Sequence, residues 1–114
     1  MKELAMEHQR PKILLVDDRP ENLFALEQTL KPLNASLTRA MSGEEALSQV
    51  LRQQFALILM DVQMPGMDGF EAVSLMRDYD DTKNVPVIFV TAISKERQFV
   101  EQGYESGAVD YLFK

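Results

Sequence analysis

Phe55-Ala-Leu-Ile-Leu-Met60 is an unbroken apolar run, and Asp61 closes it. A strand with one wet face would alternate, so a short continuous run of this kind predicts a strand buried on both faces, as in a parallel sheet. The residues that follow, Met64-Pro-Gly-Met-Asp-Gly69, are turn formers, and beyond them Phe70, Val73 and Met76 recur at helical spacing. Strand, turn and helix in that order form the repeating unit of an α/β fold.

The same unit recurs on either side. Lys12-Ile-Leu-Leu-Val-Asp17 is a second apolar run ending in acid, and Pro86-Val-Ile-Phe-Val-Thr91 is a third. Pro20 favours a helix start, and Leu23, Leu26 and Leu30 line one face until Pro32 stops it. Ala35–Met41 is a weaker strand. Ser42 and Glu45 have the spacing of a capping box, ahead of a helix predicted to bury Leu47, Val50 and Leu51. Ser94 can cap a fourth helix that Gly107 ends, and Val109–Phe113 reads as a last strand. Five strands alternating with four helices imply right-handed crossovers and a parallel sheet with helices on both faces.

Length and composition agree with one compact domain. The chain has 114 residues, 46% apolar and 26% charged, enough for a single core. Met1–Pro11 has no apolar period and is expected to be a flexible leader, with the domain spanning 12–114. A net charge of −6 argues against direct nucleic-acid binding, which needs clustered Lys and Arg. There is no cysteine and His8 is the lone histidine, so thiolate sites and most transition-metal sites are excluded. No apolar run approaches the roughly 20 residues of a spanning helix, and the leader is too polar for a signal peptide. A cytoplasmic protein with no membrane partner is expected.

In open parallel sheets the functional site lies at the carboxyl ends of the strands. Here those ends carry Asp17-Asp18, Asp61, Thr91 and Lys114, each after a run with almost no charge. Each has an ordinary explanation alone. The acidic pair could cap a helix, Asp61 and Asp68-Gly69 could be turn residues, Thr91 is a common strand residue, and Lys114 could be solvated. Packing does not require all of them together. Gathered carboxylates repel one another, and an all-oxygen donor set suits a hard cation, Mg²⁺ or Mn²⁺. An aspartate can also attack phosphorus to form an acyl phosphate, with metal, Lys114 and Thr91 supplying charge and a hydrogen bond.

Four motifs in order, Asp17-Asp18, Asp61-Val-Gln-Met-Pro-Gly-Met-Asp-Gly69, Thr91-Ala92 and Gly107-Ala-Val-Asp-Tyr-Leu-Phe-Lys114, resemble the CheY-like receiver domains of bacterial two-component response regulators. The resemblance runs from Lys12 to Lys114. It implies a flavodoxin-like, doubly wound sheet of order 2-1-3-4-5. It also implies a phosphorelay switch that is not a turnover enzyme. Asp61 would accept a phosphoryl group from a phosphohistidine on a histidine kinase or histidine phosphotransfer protein. Asp18, Asp61 and the Gln63 carbonyl would ligate Mg²⁺ directly, and Asp17 largely through water. Lys114 would pair with the phosphoryl oxygens. Thr91 and Tyr111 would rearrange to alter the surface of the fourth helix and fifth strand. Tyr111 is otherwise an ordinary strand aromatic.

Two departures from the family pattern stand out. The family continues past this lysine with a proline and a fifth helix, so that helix is expected to be absent here and the native protein to continue into a further domain. An uncovered sheet face would favour self-association, which leaves a homodimer among the expected partners. Gln63 and Ile93 occupy the positions that tune acyl-phosphate lifetime, and Ile93, unable to orient water, is expected to slow hydrolysis. Two other classes fit the sequence less well. A dehalogenase-type phosphatase would need Asp-x-Asp after the first strand, where this chain has Asp17-Asp18-Arg19. A receiver-like interaction module that takes no phosphate would be expected to lack site residues, and all are present.

Overall fold

A computed structural model describes residues 10–91 and 110–113. The expected helix from Ser94 to Gly107 lies outside these residues, as do Ile93, Lys114, His8 and most of the leader.

Five strands are present: β1 (Lys12–Val16), β2 (Ser36–Ala40), β3 (Leu57–Met60), β4 (Val87–Thr91) and β5 (Asp110–Phe113). All pair in parallel, in the order β2-β1-β3-β4-β5. Between them run α1 (Pro20–Leu30), α2 (Gly43–Arg52) and α3 (Gly69–Met76). A short 3₁₀ turn, Lys31–Leu33, carries Pro32 at the end of α1. Asn34, at φ 54°, then reverses the chain into β2.

Strand alternation divides the core in two, because successive side chains point to opposite faces. Ile13, Leu15 and Leu59 pack with Leu23, Leu26 and Leu30 of α1 on one face. Leu14, Val16, Ile58, Met60, Val87 and Phe89 pack on the other, against Ala46 and Val50 of α2 and Phe70, Val73 and Met76 of α3. Phe70 and Phe89 meet edge to face, with centroids 5.1 Å apart. The doubly wound architecture follows: α1 on one side, α2 and α3 on the other.

Helix ends repay the sequence reading with changes in detail. The Ser42 hydroxyl accepts from the Glu45 N–H at 3.0 Å, as a capping box requires, but the Glu45 carboxylate reaches back to the Met41 N–H instead of that of Ser42. In α2 the buried stripe is Gly43, Ala46 and Val50. Leu51, expected to be buried, is 56% exposed. It follows Val50 by one residue, a rotation of about 100° that carries it off the buried stripe. At the far end of α3 the buried Thr82 hydroxyl donates to the Met76 carbonyl at 2.5 Å, and Arg77 donates to the Thr82 carbonyl. The Met76 carbonyl, at the last turn of α3, accepts from the Tyr79 N–H as well, so the turn after the helix is tied back onto its end.

Candidate functional site

The carboxyl ends of β1 and β3 lie side by side because the strands are in register, Val16 opposite Met60. The Asp61 N–H donates to the Val16 carbonyl at 2.8 Å, and the Asp17 N–H donates to the Ala40 carbonyl at 3.1 Å. Sheet pairing thus sets the backbone of both acids. One carboxylate oxygen from each of Asp17, Asp18 and Asp61 lies within 4.8 Å of the other two. Asp17 is 1% exposed and Asp61 9%, while Asp18 is half-buried. The pocket therefore has two walled-in acids and one nearer its mouth.

Each acid also has a local role. Asp17 does not cap α1. Arg19 holds the N-cap position, with no side-chain cap bond. Asp17 Oδ1 instead accepts from the Arg19 N–H at 3.0 Å, an Asx turn, and from Asn22 Nδ2 at 3.3 Å. Asp61 Oδ1 accepts from the Val62 N–H at 2.8 Å. The following loop closes where the Gly69 N–H donates to the Val62 carbonyl at 2.8 Å. Asp68, read as a turn residue, is the N-cap of α3, accepting from the Glu71 N–H at 2.9 Å. Gly69 is there because nothing larger fits: a Cβ would lie 2.5 Å from the Asp61 carbonyl oxygen and 3.0 Å from the Phe89 ring.

Other residues named from the sequence sit as follows. Gln63 is exposed in the loop two positions past Asp61. Thr91 ends β4, and Tyr111 lies in β5 opposite Phe89, with Thr91 opposite Phe113. Lys114 and Ile93 fall outside the described residues, so the cation expected at the rim has no described position. Asn22, Glu44 and Gly69 were not singled out from the sequence. Glu44 accepts from the Met67 N–H across the loop at 3.2 Å. Only Gly69 left a trace in the sequence, as part of Asp68-Gly69.

Three converging carboxylates, with no sulfur or imidazole, fit a hard divalent cation and disfavour softer metals. The fold and site together define a doubly wound α/β domain with an acidic crevice at its strand ends. Residues 13–114 match the family described as the response regulator receiver domain. The chain is 40% identical over 103 residues to the response regulator PleD of Caulobacter vibrioides, covering 90% of this chain and 22% of PleD. Among solved structures it is similar to the chemotaxis response regulator CheY4 of Vibrio cholerae. That match has 30% identity and a TM-score of 0.86, and it covers 93% of this chain and 88% of that one. It is similar as well to the receiver domain of the sensor histidine kinase PA1611 from Pseudomonas aeruginosa, which has a magnesium ion coordinated in its active-site cleft. There the identity is 33% and the TM-score 0.83, with coverage of 92% and 85%.

The chain belongs to the response-regulator receiver family. Its role is that of a phosphoaccepting signalling module, and receiver domains bind Mg²⁺ at an acidic pocket of this kind. The phosphatase and non-phosphorylated readings gain no support. No described helix is long and apolar enough to cross a membrane.

Proposed function

We propose that Asp61 accepts a phosphoryl group from a phosphohistidine on a histidine kinase or histidine phosphotransfer protein. An Asp61 carboxylate oxygen attacks phosphorus. The bond from phosphorus to the donor imidazole breaks as the new P–O bond forms, and the departing imidazole takes up a proton. The observation that carries this reading is the convergence of Asp17, Asp18 and Asp61 within 4.8 Å, at the strand ends of a receiver-family chain.

Asp18, Asp61 and the Gln63 carbonyl would hold Mg²⁺ or Mn²⁺ directly. Asp17 would act through water, in keeping with the engagement of its Oδ1 by Arg19 and Asn22. The cation supplies neutralisation of charge on the phosphoryl oxygens. Lys114 pairs with those oxygens, and Thr91 donates a hydrogen bond to one of them. Thr91 and Tyr111 together then carry the change to the output surface. The domain works within a longer protein, acting as a switch and not as a turnover enzyme.

Incubation with acetyl phosphate and Mg²⁺, read by intact-mass spectrometry, tests this. Wild type is expected to gain one phosphoryl group and Asp61→Asn none; labelling of both, or of neither, ends the reading. Gln63 and Ile93 set the lifetime of the product. Ile93→Glu should therefore lose phosphate faster than wild type, and an unchanged or slower decay would contradict that assignment.

A further inference from the structure

The loop that leaves Asp61 is fixed at its neck by its own residues and at its outer bend by a neighbouring helix. Asp61 Oδ1 and the Val62 carbonyl tie down residues 62 and 69, and Asp68 caps α3. Gln63, Pro65 and Gly66 are exposed. The bend is held from the side by the first turn of α2. Glu44 Oε1 accepts from the Met67 N–H at 3.2 Å. The neighbouring Gly43 lets the two backbones approach, since a Cβ there would lie 2.7 Å from the Met67 carbonyl oxygen and 2.9 Å from its side chain. Acidic residues in the first turn of a helix are favoured by the helix dipole, which helps hold the Glu44 carboxylate over its own helix end.

We infer that Glu44 is a positioning residue for the metal-binding loop, acting through the Met67 amide to keep the Gln63 carbonyl aimed at the cation. Glu44 is not one of the three converging carboxylates found among the described residues. The inference rests on the proposed function, because it concerns the same Mg²⁺ site. Loss of a partner that orients a ligand typically costs roughly 10–100-fold in metal affinity.

The test is Mg²⁺ titration of the full chain, followed by calorimetry, in wild type, Glu44→Ala and Glu44→Gln. Alanine is a strong former at this exposed helix position, so folding is retained. Glu44→Ala is expected to bind Mg²⁺ about 10-fold more weakly. Glu44→Gln keeps a carbonyl that can accept from Met67 and should stay within about twofold of wild type. Amide exchange at Met67 should quicken in the alanine variant alone. Equal affinity in wild type and Glu44→Ala would overturn the inference. So would a Glu44→Gln as weak as Glu44→Ala, since that pattern marks a general charge effect. Failure of wild type itself to bind Mg²⁺ would instead remove the functional reading, and is seen without either variant.

Discussion

The two most buried acids of the site, Asp17 and Asp61, are where an apolar run ends in charge, and that contrast is readable without a structure. A carboxylate placed directly after four or five buried residues has no solvent to turn to unless the strand end opens on a crevice. Asn22, Glu44 and Gly69 lack any such contrast. Their roles depend on partners that sheet register and helix packing bring close, so no local pattern gave those roles, although Gly69 was legible as a turn residue. Gly69 makes the sharpest test at this scale. A methyl group there would press on the Asp61 carbonyl at 2.5 Å, so backbone must move. Gly69→Ala is expected to cost about 1–3 kcal/mol in urea unfolding, the usual range for overpacking. It should also impair acetyl-phosphate labelling; a variant with wild-type stability would show that the contact relaxes freely.

Among elements, β1, β3 and β4 were legible because each is a compact apolar run, although β3 begins only at Leu57 and leaves Phe55 and Ala56 ahead of it; β2, Ser36-Leu-Thr-Arg-Ala40, is mixed and gave a weaker signal. Helix faces were less so. Leu51 has the same side chain as the buried leucines and differs only in its angle around the helix axis. One link between elements sits on the surface and depends on pH. Arg39 of β2 grips Glu27 of α1 in a fork, with contacts of 2.8 and 2.6 Å. The hydrogen bond from Arg39 holds the Glu27 carboxyl below its ordinary value, aided by the charge of Arg39 and opposed by partial burial. A lowered folded-state value means the pair stabilises the fold above the ordinary glutamate range. That contribution is lost as pH falls through the depressed value. Wild type should therefore exceed Glu27→Gln slightly in denaturant midpoint at neutral pH, with the gap closing on acidification. A gap that widens in acid would reverse the assignment.

For the whole molecule, alternation of strands and helices was enough for the class of fold but not for strand order. Apolar strands pair interchangeably as far as composition goes, and the order 2-1-3-4-5 came from resemblance to a family. The observed sheet has that order. Because the three acids of the proposed cation site converge only in the folded chain, Mg²⁺ should raise the melting temperature. The expected stabilisation is about 2.7 kcal/mol at a hundredfold excess over Kd. The rise should be much smaller in Asp61→Asn. A melting temperature indifferent to Mg²⁺ in wild type would contradict the site.

The parallel register of β1 against β3 has one more consequence. A slip of one residue would move Asp61 about 3.3 Å along its neighbour and turn Leu57 and Leu59 to the wrong side of the sheet. Misaligned chains would thus lose core and crevice in the same stroke. On the proposed function, ion capture during refolding would therefore timestamp the arrival of correct alignment between two segments more than forty positions apart.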